Sequence, residues 1–143
     1  MRRRIAMTLA VGATAGLLLP AVAMAGTKTL NAAVKGDNNS KVKIEFKTRE
    51  GRPTGVNFIK LRNVNSPCPE GGEFSKKFKK VGFSPLTLTF LGGGPVSQTQ
   101  AAKISGGVDP KVTRIKDGTI EFFRIENGEL GESCGRVEYR VPR

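Results

Sequence analysis

The chain has 143 residues and a formal net charge of +12, with 24 lysines and arginines against 12 acids. It contains no histidine, no tryptophan and only two cysteines. The lack of histidine excludes every Ser-His-Asp or Cys-His catalytic arrangement and the commonest neutral metal ligand. We therefore expect no cofactor, and no metal site built from cysteine and histidine.

Residues 1–25 have the pattern of a secretory signal peptide. Arg2, Arg3 and Arg4 precede a long apolar stretch, and Ala23-Met24-Ala25 is an A-x-A cleavage motif. Cleavage after Ala23 and retention as a membrane anchor are the alternatives. Cleavage after Ala25 leaves one domain with no further apolar stretch long enough to span a membrane. The expected location is secreted, periplasmic or in the cell envelope, and the alanine-rich stretch is typical of bacteria.

The first part of the remaining sequence predicts strands separated by turns. Residues 26–34 are moderately apolar and predict an edge strand. Residues 41–48 alternate apolar and charged side chains, which is the period of a half-buried strand. Residues 54–64 continue as a strand, but their apolar phase shifts. The shift predicts either burial on both faces or a β-bulge near Phe58 and Ile59.

The middle of the chain is less regular. Phe74 and Phe78 are four residues apart, a spacing that fits one helical turn or one face of a strand. Residues 85–91 alternate cleanly and predict a strand. The glycines of residues 92–94 predict a flexible turn after it.

The last third predicts two further turns. Asp117-Gly118 lies between two apolar alternations, which favours a hairpin with a tight turn within residues 112–125. Asn127-Gly128 is expected to begin a longer loop that ends at Ser133.

About eight or nine short strands with turn signals between them indicate an all-β fold. We predict a single antiparallel β-sandwich, immunoglobulin-like or jelly-roll-like, over residues 26–143. Two cysteines in an exported chain predict a disulfide between Cys68 and Cys134. Loop entropy alone would give that bridge about 4 kcal/mol. Two separate thiols are the alternative.

Two patterns suggest catalysis. Residues 131–135 match the G-x-S-x-G nucleophile motif, but that motif functions between a strand and a helix with a histidine partner. A strand is expected after Ser133, so we interpret these as turn residues beside a disulfide. Glu121 and Glu138 could act as paired carboxylates across neighbouring strands. The simpler interpretation is that they are solvated residues paired with arginines such as Arg136.

A run of lysines around an aromatic residue is the clearest candidate for ligand binding. Four ammonium groups within five residues can neutralise several anionic groups along a polymer. The expected partner is an anionic polymer or a protein at the cell envelope, and not nucleic acid. The structural interpretation is a solvated loop that protects a strand edge. The run consists of Lys76, Lys77, Phe78, Lys79 and Lys80.

Several short motifs carry a family resemblance: Cys68, Ile104-Ser105-Gly106, Asp117-Gly118-Thr119 and Cys134-Gly135-Arg136-Val137. Their layout resembles small exported bacterial β-sandwich proteins of unknown function, in which two distant cysteines join a central loop to the final strand. The resemblance implies no activity and no site residues. We predict a non-catalytic binding protein for an anionic polymer or a partner protein. A hydrolase or lyase that uses carboxylates or lysines, and a structural accessory or inhibitor, are the alternatives.

Overall fold

The computed structural model describes residues 24–143, so almost all of the predicted signal peptide lies outside the described residues. No helix among these residues is long and apolar enough to cross a membrane. The described part of the chain forms nine strands: β1 (Ala25–Val34), β2 (Lys41–Arg49), β3 (Arg52–Asn65), β4 (Glu73–Phe78), β5 (Val81–Ser84), β6 (Thr89–Pro95), β7 (Gln100–Val108), β8 (Ile115–Glu126) and β9 (Glu129–Arg140).

The nine strands form one antiparallel sheet in the order β4-β3-β2-β1-β9-β8-β7-β6-β5. The all-β antiparallel prediction is confirmed. The prediction that β1 is an edge strand is wrong, because β1 lies between β2 and β9. It pairs with β9 only at Ala33–Arg140 and Val34–Tyr139. These two residue pairs join a first arm, β4-β3-β2-β1, to a second arm, β9-β8-β7-β6-β5.

The two arms pack against each other through aromatic and aliphatic side chains. Phe46 of β2 meets Phe90 of β6 edge-on, with ring centroids 5.7 Å apart. Phe74 of β4 lies 6.4 Å from Phe122 of β8. Because side chains alternate along a strand, each arm gives one face to the core and leaves the other to solvent. The fully buried aliphatic residues are Val42, Ile44, Ile59, Leu61, Val64, Ile104, Val112 and Ile120.

The predicted β-bulge in β3 is confirmed. Glu45 pairs with Phe58 and Phe46 pairs with Val56, so Asn57 is an extra residue in the ladder. The insertion explains the phase shift in the sequence, since Val56 and Ile59 both reach the core although they differ in parity.

The two turn motifs of the last third behave differently from the prediction. Asp117-Gly118 lies inside β8 and forms no hairpin; Asp117 has a φ of 51° near a register irregularity opposite β7. Asn127-Gly128 is the tight turn, because both residues have positive φ and Glu126 pairs directly with Glu129. This two-residue connection is typical of hairpins. The expected longer loop to Ser133 is therefore wrong.

The predicted strand over residues 85–91 is correct only for residues 89–91, which lie in β6, because residues 85–88 form a turn. The glycine turn predicted after it is wrong. β5 ends at Ser84, and the glycines of residues 92–94 belong to β6. A Cβ atom at Gly93, whose φ is 144°, would overlap the carbonyl oxygen of Ala102 in β7. Glycine is required here because the backbones of β6 and β7 approach too closely for a side chain.

The predicted disulfide is confirmed, with the Cα atoms of Cys68 and Cys134 4.8 Å apart. Cys68 lies in the β3–β4 loop and Cys134 in β9, so the bridge ties the far end of the first arm to the second arm. Gln100 of β7 strengthens the same junction and is 2% exposed. The Ser66 hydroxyl donates to Gln100 Oε1 at 2.5 Å, and Gln100 Nε2 donates to the Gly71 carbonyl oxygen at 2.8 Å.

Candidate functional site

The predicted lysine run lies at the end of the sheet. Lys76 and Lys77 belong to β4, the terminal strand of the first arm. Lys79 and Lys80 form the connection from β4 to β5. The segment is therefore a strand followed by a short link, and the helical alternative for its phenylalanines does not apply.

Alternation along β4 divides the run between two faces. Phe78 is 6% exposed and its ring packs near Gly94 of β6, so it supports the strand from inside. Lys76 has the same parity as Phe78 but is exposed, whereas Lys77 projects to the outer face. The five predicted residues thus do not form one continuous surface.

Lys77 belongs instead to a row of three lysines that crosses β2, β3 and β4. Lys43 pairs with Lys60, and Lys60 pairs with Lys77. All three side chains are exposed. Neighbouring strands are about 4.8 Å apart, so the three side chains leave the sheet along a line of about 10 Å.

A second cross-strand pair of cations lies beside this row. Lys41 and Arg62 pair with each other, and each lies two residues from a lysine of the first row, on the same face. The five cations Lys41, Lys43, Lys60, Arg62 and Lys77 are named the basic face below. Within residues 24–143, none of the ion pairs formed at up to 4.0 Å includes one of these five. Like charges directly opposite each other destabilise a sheet, so the basic face carries an energetic cost in the free protein.

An aromatic ring lies within the basic face. Lys77 Nζ is 4.4 Å from the ring centroid of Phe58, which is a cation–π arrangement. Phe58 lies opposite Glu45, whose carboxylate accepts a hydrogen bond from Asn57 at 2.8 Å. The lysines of the face are thus accompanied by an aromatic ring, but it belongs to Phe58 and not to Phe78.

Sequence reasoning missed most of the basic face. The alternation of Lys41 and Lys43 with buried residues in β2 shows that they share a face, and Lys60 and Arg62 show the same in β3. These four residues lie beside Lys77 only because β2, β3 and β4 pair with one another. The local sequence does not indicate that pairing.

Ser133, the centre of the G-x-S-x-G motif, lies inside β9 and precedes no helix. Its hydroxyl oxygen accepts a hydrogen bond from the Gly135 N–H at 3.2 Å. The Glu121 carboxylate accepts a hydrogen bond from the Ser133 hydroxyl, which lowers the pKa of Glu121. Burial raises this pKa, whereas the positive charges of Arg136 and Lys103 lower it further. A carboxylate with a lowered pKa is a weak base, so this arrangement does not activate the serine.

Glu121 and Glu138 lie on adjacent strands, but they are not opposite each other. Glu121 pairs in register with Arg136, and Glu138 pairs with Thr119. The Glu121 carboxylate is 3.5 Å from the Arg136 guanidinium, and the Glu138 carboxylate is 3.9 Å from Lys35 Nζ. Glu121 also lies 3.8 Å from Lys103 Nζ, so each acid is paired with at least one cation, which is the arrangement of surface ion pairs.

Comparison of the chain with protein-family models, curated proteins and solved structures finds no match. In residues 24–143, no group of three or more acids or cysteines is placed to hold a metal ion. Among the described residues, the basic face is therefore the feature that best fits a binding function.

Proposed function

We propose that the protein is a non-catalytic binding protein that holds an anionic polymer on its basic face. The observation that carries this proposal is the row formed by Lys43, Lys60 and Lys77. Opposed lysines repel each other across the ladder, and an anion placed over them removes that repulsion. Binding of an anion therefore removes a repulsion that destabilises the free protein, and this removal favours the complex.

The dimensions of the face favour a polymer over a small ligand. Its charges recur at about 4.8 Å across the strands and at about 7 Å along them. Lysine ammonium groups on long flexible stems adapt to phosphate, sulfate or carboxylate groups spaced along a chain. Phe58 adds an apolar surface beneath Lys77. The ligand class is thus a polymer with repeated anionic groups.

The proposed setting is the outside of the cell or the cell envelope. A disulfide is typical of oxidising compartments, and the sequence of residues 1–25 predicts export. In that setting the polymer is a wall polymer or a sulfated glycan, and an anionic lipid surface is the alternative target. We also propose that the two arms are the two layers of a β-sandwich, with the basic face on the outside of one layer.

The test is binding of the purified protein to dextran sulfate and to polyphosphate, with neutral dextran as the control ligand. We expect binding to both anionic polymers that weakens as salt concentration rises. The double variant Lys60→Gln/Lys77→Gln should bind about tenfold more weakly or worse, because each lysine near an anionic surface contributes about 1 kcal/mol.

A matched double variant tests whether binding depends on the basic face or only on the net charge of the protein. Lys111→Gln/Lys116→Gln removes the same charge from exposed positions of the second arm and should bind normally. Lys76→Gln, on the same strand but the other face, should have a smaller effect than Lys77→Gln. If both double variants lose affinity equally, the basic face is not the binding site. If the protein does not bind the anionic polymers, or binds them independently of salt, the proposed function is wrong.

A further inference from the structure

A second basic region lies where the two arms meet. A cleft of about 920 Å³ opens beside the two residue pairs that join β1 to β9. One wall is the end of β1, another is the end of β9 with the residues after it, and the third is the segment that leads into β8. This cleft and the basic face involve different residues.

The lining of the cleft combines cationic and apolar residues. Four cationic residues line it, Lys35, Arg114, Arg140 and Arg143, and no acidic residue does. Among the described residues, Arg114 and Arg140 take part in none of the ion pairs. Lys35 makes one contact of 3.9 Å with Glu138, in which both side chains are well exposed.

The backbone holds both arginines in fixed places. Asp109 Oδ1 accepts hydrogen bonds from the N–H groups of Thr113 at 2.7 Å and Arg114 at 2.9 Å, and Asp109 Oδ2 accepts the Thr113 hydroxyl at 2.5 Å. The nearby carboxylate is therefore occupied by the loop itself and leaves the Arg114 guanidinium without an acidic partner. Arg140 is held opposite Ala33 by the last pairs of the sheet.

We propose that this cleft binds a small acidic amphiphile, a ligand with one oxyanion group and a short apolar body. The guanidinium groups of Arg114 and Arg140 present planar sets of donors that match phosphate or carboxylate oxygens. Ala33 and Val141, both half-buried, supply the apolar contact. The volume lies within the range of small-ligand sites. This site is independent of the polymer function.

The test is an NMR titration of the purified protein with hexyl phosphate, and with hexanoate as a second oxyanion. We expect shifts concentrated at the backbone amides of residues 33–36 and 114–115. Hexanol lacks the charge and inorganic phosphate lacks the apolar body, so both should bind more weakly. Arg114→Gln and Arg140→Gln should each weaken hexyl phosphate binding about tenfold, since each removes a charge-assisted hydrogen bond.

Two controls make the result decisive. Arg52→Gln removes one exposed arginine outside the cleft and should leave the affinity unchanged. Lys60→Gln/Lys77→Gln should also leave it unchanged, which separates this site from the basic face. Normal affinity in both cleft variants, equal binding of hexanol, or no binding at millimolar concentrations would overturn the proposal. Stronger binding of hexyl phosphate than of hexanoate would identify the ligand as a phosphate, and the reverse would identify it as a carboxylate; either supports the site.

Discussion

Tyr139 of β9 reaches across β8 and donates a hydrogen bond from its buried hydroxyl to the carbonyl oxygen of Ser105 in β7, at 2.9 Å. Two glycines make room for its ring. A Cβ atom at Gly118 would lie 2.9 Å from the ring, and one at Gly106 would lie 3.2 Å from the hydroxyl oxygen. Gly106 and Gly118, the second of which belongs to a predicted turn, therefore form the walls of a slot for this tyrosine.

Gly118→Ala should destabilise the protein. The new Cβ atom would lie 2.5 Å from the Tyr139 carbonyl oxygen, so the strands must shift. Overpacking of this kind costs about 1–3 kcal/mol, measured as a lower midpoint in urea denaturation. Gly26→Ala is the control, because its Cβ atom would meet its nearest neighbour at an ordinary 3.4 Å. Equal stability of the two variants would contradict the slot.

Tyr139 should resist ionisation as long as the protein is folded. Burial raises its pKa above the ordinary value of 10.0. The folded state favours the neutral phenol, so this stabilisation is complete below pH 10 and is lost as the pH rises toward the folded pKa. The chain has one tyrosine, so phenolate absorbance reports on Tyr139 alone. We expect absorbance and circular dichroism to change together at alkaline pH; ionisation in a folded protein near pH 10 would refute burial.

Loss of the disulfide should weaken the junction of the arms. The variant Cys68→Ser/Cys134→Ser should lose about 2–4 kcal/mol of unfolding free energy, because the unfolded chain is no longer constrained over 66 positions. Reductant should lower the stability of the unmodified protein toward that of the variant and leave the variant itself unchanged. Two alkylatable thiols in the non-reduced protein would show that the bridge does not form.

Asp109 should make stability depend on pH in the acid range. Burial opposes its ionisation, but hydrogen bonds from the Thr113 side chain and from the backbone of Arg114 and Thr113 outweigh burial and lower the pKa to about 2. The stabilisation is therefore complete above the ordinary pKa of 3.8 and is lost as the pH falls through 2. Its size is about 1–2 kcal/mol after allowance for solvent.

The variant Asp109→Asn tests that assignment. It should lower the stability at neutral pH and flatten the part of the stability profile that lies between pH 4 and pH 2. Urea denaturation across this range gives the measurement. A profile identical to that of the unmodified protein would assign the acid dependence to other carboxylates.

Features that depend on residues close in sequence could be predicted. Features that depend on the pairing of strands distant in sequence could not. Alternation in residues 41–48 correctly predicted β2. The phase shift beside Phe58 left burial on both faces or a β-bulge as explanations, and the structure has the bulge. Asp117-Gly118 and Asn127-Gly128 carry similar local signals, yet only the second is a turn. Asp117 and Gly118 lie within β8, where Gly118 packs against Tyr139 of the neighbouring strand. The basic face was beyond prediction for the same reason, since Lys43, Lys60 and Lys77 meet only through pairing.

The central position of β1 has a kinetic consequence. The first of the described strands pairs with the last one, so the pairing of β1 with β9 cannot form until Tyr139 and Arg140 have been synthesised. Contacts between residues so far apart in sequence carry a large loop-closure entropy, and topologies that depend on them fold in milliseconds to seconds. We therefore expect the pairing of β1 with β9 to be a late step in folding, and it is the step that completes the single nine-stranded sheet.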